Sequence, residues 1–284
     1  MLSDLARHCT MKNCLIILIL ACFGIFYGFD FTQTDKTNES TAFHAERIAH
    51  AGGGYEGQTY TNSYQALSTN LKLGFTYFEI DFVFTSDNHL VCLHDWGESF
   101  ERIFNLQAKP IPTLGQFEIL AANNSSFTSC TAQGLAEWMR QNPSATIVSD
   151  VKGKNLRALK LLRKIIPDAT RRLIPQIYQP EEYAAVKALG YQQVIWTLYR
   201  FRGGDDVVFA HVTEMKIPIA VTMPAKRAEA GLPQSLKRLG IPTYVHTIND
   251  TSASERFLTK LNVTEIYTDF LLPARPPQPS KDRK

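Results

Sequence analysis

From Arg47 to Pro273 the chain alternates short apolar runs with helix-periodic segments, and this alternation limits the possible folds more than any other feature. Strand-like runs occur at Arg47–Ala49, Thr76–Asp81, Leu90–Leu93, Thr146–Val151, Leu173–Ile177, Val194–Leu198, Ile217–Thr222, Thr243–Thr247 and Glu265–Thr268. Between them lie helical segments at Ser63–Leu73, Leu135–Gln141, Asn155–Ile165, Pro180–Leu189, Ala225–Leu239 and Ser252–Leu261. In Asn155–Ile165, for example, Leu156, Leu159 and Leu162 share one face while Arg157, Lys160 and Lys164 lie opposite. Strands alternating with helices imply a parallel sheet. A closed (β/α)8 TIM barrel of about 250 residues would use nearly all of the 284 available. The strand-like runs are one too many for eight, and Ile217–Thr222 is the expected excursion. The irregular stretch from Glu98 to Ser129 is too long for an ordinary connection and reads as a lid or a small insertion.

The fold class is therefore α/β, with a hydrophobic helix expected in front of the barrel. Residues 1–31 contain the uncharged run Cys14–Phe29, with Arg7 and Lys12 before it and Asp30 and Asp35 after it. That run is close to the ~20 residues that span a bilayer, and the charge asymmetry favours an inside N-terminus. A membrane anchor or a signal segment is expected there, followed by a polar linker over 32–46 and a disordered tail over 274–284. The catalytic part would then lie outside the cytoplasm, anchored to the membrane or, if the segment is cleaved, secreted. A formal net charge of +3 is too small to argue for a nucleic-acid or membrane-surface partner, and no nucleic-acid partner is expected. Of the five cysteines, Cys92 and Cys130 fall in the globular part. Cys92 lies inside the apolar run LVCL and reads as a buried free thiol, with a Cys92–Cys130 pairing left open.

The chemistry sits where the apolar runs end. Polar residues recur there: His50, Glu79 with Asp81, His94 with Asp95, Asp150 with Lys152, Gln176, His246 with Asn249, and Asp269. In a parallel barrel the carboxyl ends of all strands face one mouth. The period of two puts Glu79 and Asp81 on the same side of one strand, and Asp150 and Lys152 on the same side of another. Glu79, Asp81 and Asp150 thus converge as an oxygen-rich set suited to a divalent cation such as Mg²⁺ or Ca²⁺. Without a cation such crowded carboxylates repel one another. Two histidines serve as acid and base near neutral pH, and Lys152 is a candidate phosphate contact, with Gln176 and His246 as further substrate contacts. The glycine run after His50 suits close approach of an anionic ligand to the backbone. Together these groups suit cleavage of a phosphodiester.

The motifs resemble those of the glycerophosphodiester phosphodiesterase family, within the wider phosphatidylinositol-phospholipase-C-like group. The matching pieces are His50-Ala51-Gly52-Gly53, Asn62-Ser63, Glu79-Ile80-Asp81, Thr85-Ser86-Asp87-Asn88, His94-Asp95, Asp150-Val151-Lys152, Val245-His246-Thr247-Ile248-Asn249 and Tyr267-Thr268-Asp269. The resemblance implies a (β/α)8 phosphodiesterase domain over residues 47–273, His50 and His94 as the acid–base pair, and Glu79, Asp81 and Asp150 as ligands to a divalent cation. It also implies a small-molecule or lipid-derived phosphodiester substrate, with an adjacent substrate hydroxyl as nucleophile. The chain departs from the family pattern at Ala51 (usually Arg), Thr61 (usually Glu), Asp150 (usually Glu) and His246 (usually Trp). It reads as a divergent member whose alcohol moiety need not be glycerol. Two other readings are a phospholipase C/D-like enzyme acting on intact phospholipids and a non-catalytic phosphodiester-binding barrel.

Overall fold

The computed structural model describes residues 43–273. The expected segments at 1–31, most of the linker and the tail lie outside the described residues. Among the described residues no helix is long and apolar enough to cross a membrane.

The elements in order are β1 (Ile48–Ala49), α1 (Tyr64–Lys72), β2 (Tyr77–Phe84), β3 (Leu90–Cys92), α2 (Glu98–Phe104), α3 (Leu114–Asn123), α4 (Ala132–Gln141) and β4 (Thr146–Val151). They continue with α5 (Asn155–Ile165), α6 (Ala169–Arg172), β5 (Leu173–Ile177), α7 (Glu182–Ala188), β6 (Val194–Thr197), α8 (Asp205–Glu214) and β7 (Ile219–Pro224). The last are α9 (Ala225–Glu229), α10 (Leu232–Lys237), β8 (Thr243–His246), α11 (Thr251–Glu255) and β9 (Glu265–Thr268). The strand order is β1-β9-β8-β7-β6-β5-β4-β2-β3, and a parallel β1–β2 pairing closes the ring. Eight parallel strands thus form the expected barrel, and β3 stands outside it.

The excursion is therefore β3 and not Ile217–Thr222, whose residues contribute to β7, paired in parallel with both β6 and β8. The reason is connection length. A parallel crossover needs roughly a dozen residues, whereas β2 and β3 are joined by the turn Thr85–His89, in which Asn88 takes a left-handed φ of 66°. So short a link allows only a hairpin, and β3 pairs antiparallel with β2. The stretch from Glu98 to Ser129 is also more regular than expected. It holds α2 and α3, whose Phe100, Phe117 and Ala121 bury against Val83, Val91 and Leu93 of the hairpin. Thr113 and Gln116 form a reciprocal capping box that starts α3. The Ala225–Leu239 helix divides at Gly231 (φ 101°) into α9 and α10. Helix α8 was not anticipated.

Cys92 is not a free thiol. It forms a disulfide with Cys130, across a sequence separation of 38. The backbone already brings the two together: the Cys92 N–H donates to the Cys130 carbonyl at 2.7 Å. The link fastens β3 to the segment leading into α4.

Candidate active site

The barrel interior is filled in layers, and the period-two geometry of the strands fixes which residues form each. The lower layer takes one residue from each barrel strand: Ile48, Tyr77, Val148, Ile174, Ile195, Ala220, Tyr244 and Tyr267, packed with Phe43 in one buried cluster. Two residues further along each strand direction, still pointing inward, come His50, Glu79, Asp150, Gln176, Thr197, Thr222, His246 and Asp269. An apolar plug thus carries a polar ring at the carboxyl-end mouth. A cavity of about 210 Å³ opens above it, lined by His50, Tyr60, Glu79, His94, Asp150, Lys152, Gln176, Thr197, Tyr199, His246, Thr247 and Tyr267. Every residue expected to act is brought to this cavity, with Asp81 just behind its wall.

Each histidine of the expected acid–base pair is held by a carboxylate. His50 Nδ1 meets Asp269 Oδ1 at 2.9 Å, and His94 Nδ1 meets Asp95 Oδ2 at 2.8 Å. An ionised carboxylate only accepts, so Nδ1 is the donor in both pairs and Nε2 is left for the cavity. Asp269 is in turn fixed by Asn249, whose Nδ2 donates to Oδ2 at 2.7 Å and whose Oδ1 accepts from the Asp269 N–H at 2.8 Å. Asp95 accepts from Ser99 Oγ at 2.7 Å and from the backbone of Gly97 and Ser99 at 2.8 and 3.2 Å. Burial disfavours the charge on Asp95, but the His94 bond and these donors outweigh it and hold the carboxyl down at about 2. Burial pulls His50 down, yet the Asp269 hydrogen bond and the charges of Glu79, Asp269 and Asp81 prevail and raise it to about 9. The Tyr60 ring sits edge-on between the two imidazoles, with its centroid 4.5 Å from that of His50 and 5.2 Å from that of His94.

The acids converge because β2 and β4 run in register, Asp81 beside Asp150. One oxygen from each of Glu79, Asp81 and Asp150 lies within 4.8 Å of the others. Glu79 Oε2 accepts the Ala51 N–H at 2.8 Å, while Oε1 is buried without a hydrogen-bond partner. Asn62 (φ 46°) pins Asp81 twice, donating to Oδ2 at 2.9 Å and accepting its N–H at 3.0 Å. Asp150 accepts from the hydroxyls of Tyr178 and Tyr199. Burial and then the Asp81 charge push Glu79 up to about 8. Burial works against ionised Asp81 too, but the positive charge of Lys152, followed by the two histidines, leaves its carboxyl lowered. An orphaned buried carboxylate oxygen beside two further acids is a hard-donor set, and it fits a divalent cation.

Two expectations change in detail. Lys152 lies in the cavity wall, but its Nζ bridges Asp81 Oδ1 and Asp150 Oδ2, each at 2.7 Å. A phosphoryl oxygen would have to share that ammonium with the acids. The glycine run after His50 does not present a free row of amides. The Gly53 N–H is taken by the His50 carbonyl at 2.8 Å and the Gly54 N–H by the Asp269 carbonyl at 2.7 Å. Glycine is required at 54 for space, since a Cβ there would lie 2.9 Å from the Asp269 carbonyl oxygen and would also meet the Phe270 ring.

Sequence reasoning did not single out Tyr60, Tyr178, Tyr199, Thr197 or Thr222. The two threonines were findable, because each lies two residues beyond an apolar residue of its strand. Tyr60 carries no such signal, since its place depends on a loop with left-handed residues at Tyr60 and Asn62. His246 lies in the ring with Nδ1 2.9 Å from Thr222 Oγ1. Burial, and then the His50 charge, push it down to about 4, so it is neutral at physiological pH.

Residues 50–164 match the model of the Glycerophosphoryl diester phosphodiesterase family. The fold is similar to that of a glycerophosphodiester phosphodiesterase from Thermotoga maritima (TM-score 0.62, 18% identity, 80% of this chain and 96% of that one). A second similar structure is the enzyme of that name from Parabacteroides distasonis (TM-score 0.61, 18% identity, 80% and 94%). A third is an Oleispira antarctica phosphodiesterase in complex with its product sn-glycerol-3-phosphate (TM-score 0.61, 16% identity, 79% and 93%). No curated protein sequence matches the chain.

Proposed function

We propose that this chain, whose residues 50–164 match the model of the Glycerophosphoryl diester phosphodiesterase family, is a phosphoric diester hydrolase that cleaves glycerophosphodiester-like substrates by His/His acid–base catalysis. The observation that carries the reading is the pair of carboxylate-held imidazoles, His50–Asp269 and His94–Asp95, facing one cavity across Tyr60 beside three converging acids. His50, raised to about 9, holds its proton at neutral pH and is the donor to the leaving alcohol. His94 Nε2 takes the proton of the attacking hydroxyl, whether of water or of an adjacent substrate carbon. One P–O bond forms as the other breaks, and the proton gained at His94 balances the one given by His50. Lys152 would turn part of its charge to a non-bridging phosphoryl oxygen.

Glu79, Asp81 and Asp150 would hold a divalent cation, Mg²⁺ or Ca²⁺, which when bound supplies charge neutralisation at the phosphoryl group. The Cys92–Cys130 disulfide supports a catalytic domain outside the cytoplasm, because such bonds persist in oxidising compartments. With the apolar N-terminal run, it favours membrane attachment through residues 1–31, or secretion.

The test is leaving-group dependence. His50→Ala should lose on the order of 10²–10⁴-fold in kcat/KM on an alkyl glycerophosphodiester, the usual size of a general-acid contribution. It should lose far less on a p-nitrophenyl ester, whose phenolate leaves without protonation. Equal losses on both would reject His50 as the acid. Activity that survives a chelator unchanged would reject the cation.

A further inference from the structure

The polar ring of the barrel is divided by charge. Strands β1, β2, β4 and β9 contribute His50, Glu79, Asp150 and Asp269, which form the charged half described above. Strands β5 to β8 contribute Gln176, Thr197, Thr222 and His246, none of them charged at neutral pH. The neutral half has hydrogen-bonding capacity that the protein does not use. Thr197 is 1% exposed and its Oγ1 has no partner. The Tyr267 hydroxyl lies in the floor beside Thr222 and bonds with it. His246 spends Nδ1 on Thr222, which leaves Nε2 free. A buried hydroxyl without a partner is destabilising, so a native site that keeps one beside a cavity is built for a group that arrives with the ligand.

The walls of this half are aromatic. Tyr199, His246 and Tyr267 pack edge to face in a row, with centroids 6.0 and 6.2 Å apart. Uncharged donors and acceptors set among aromatic surfaces suit an alcohol that carries several hydroxyls around a compact carbon ring. Its polar rim meets Thr197, Gln176 and His246, and its C–H faces meet the rings. The cavity volume of about 210 Å³ lies below the ~300 Å³ at which drug-sized sites begin, which suits a compact group.

We infer that the alcohol held in the neutral half is a ring polyol, a pyranose- or cyclitol-type group, and that Thr197, Gln176 and His246 select it over glycerol. The inference rests on the phosphodiesterase reading for the orientation of the ester, with its phosphorus toward the charged half.

The experiment uses the full chain and esters that share p-nitrophenyl phosphate as the common part. The other alcohol is myo-inositol, galactose, glycerol or ethanol, and phosphatidylinositol vesicles form a separate arm. The ring esters should exceed the glycerol ester by about tenfold or more in kcat/KM. Thr197→Val should reduce that ratio by about tenfold, as expected for one lost hydrogen bond in a closed site. Gln176→Leu should do the same, and it guards against a folding defect in the first variant. A glycerol or ethyl ester cleaved as well as the ring esters, or variants that depress all esters equally, would overturn the inference. So would cleavage of phosphatidylinositol vesicles in preference to the soluble esters. Calorimetric binding of inositol 1-phosphate against glycerol 3-phosphate keeps the two readings separable. No turnover with a tenfold binding preference for the inositol ester would sink the catalytic reading and support the pocket. Turnover without any preference would do the reverse.

Discussion

Asp269 and Asp95 play the same part for the two histidines, but their surroundings differ. Asp269 is nearly buried and tied to Asn249, whereas Asp95 lies partly exposed in a turn, held by Ser99 and backbone N–H groups. Asp269→Asn should therefore be the more damaging change. An amide cannot stabilise imidazolium, so His50 should fall from about 9 toward its ordinary range. The alkaline limb of the kcat/KM profile should move down with it, with a loss of roughly 10²-fold at pH 8. An unmoved alkaline limb would show that His50 is not the group observed. Glu79→Gln tests the acids. It should weaken cation affinity, read by calorimetry, by about 100-fold while the cation-free protein melts no lower. Oε1 has no protein partner to lose, and the crowding of carboxylates is relieved. Both histidines and all three acids were visible in the sequence because they end apolar runs. Asp269, Asn249 and Asn62 were visible as well, but not which group each of them holds, since they reach their partners from strands and loops distant in the chain.

Strand β3 of the β2–β3 hairpin leads to one of the two histidines but does not belong to the barrel wall. Its rigidity comes from the satellite core over α2 and α3 and from the Cys92–Cys130 bond. Closing a loop of this length stabilises by up to about 4 kcal/mol in the chain-entropy account. Cys130→Ser, or reduction with dithiothreitol, should lower the melting temperature measurably and depress kcat, because His94 follows the end of β3 by two residues. Unchanged melting on reduction would show that the satellite core alone holds the hairpin. At this scale the sequence was readable where periodicity is strong. Asn155–Ile165, Leu173–Ile177 and Glu265–Thr268 appear with the expected bounds. It was less readable where a turn decides topology. The apolar content of Leu90–Leu93 and of Ile217–Thr222 is alike, and only the short Thr85–His89 link marks the former as a hairpin strand.

Across the whole molecule, the layered interior ties stability to pH through groups of opposite behaviour. His50 is raised from 6.5 to about 9, so its contribution is full below pH 6.5 and is lost as pH rises through 9. Asp95 is lowered from 3.8 to about 2, so its contribution is present above pH 3.8 and is lost as pH falls through 2. Melting temperature should therefore decline on the alkaline side above about pH 6.5, and Asp269→Asn should flatten that decline; an identical alkaline slope in the variant would exclude the His50–Asp269 pair as its source. The barrel was legible as an alternation of elements, while the division of its polar ring was not, because register across eight strands decides which residues share a level. The same closure has a consequence in time. His50 lies just after the first strand and Asp269 just after the last, 219 positions apart, so a chain still emerging from the ribosome holds this histidine without the carboxylate that orients it. On the proposed mechanism such a nascent chain is inert, and hydrolytic competence arrives only with the final strand.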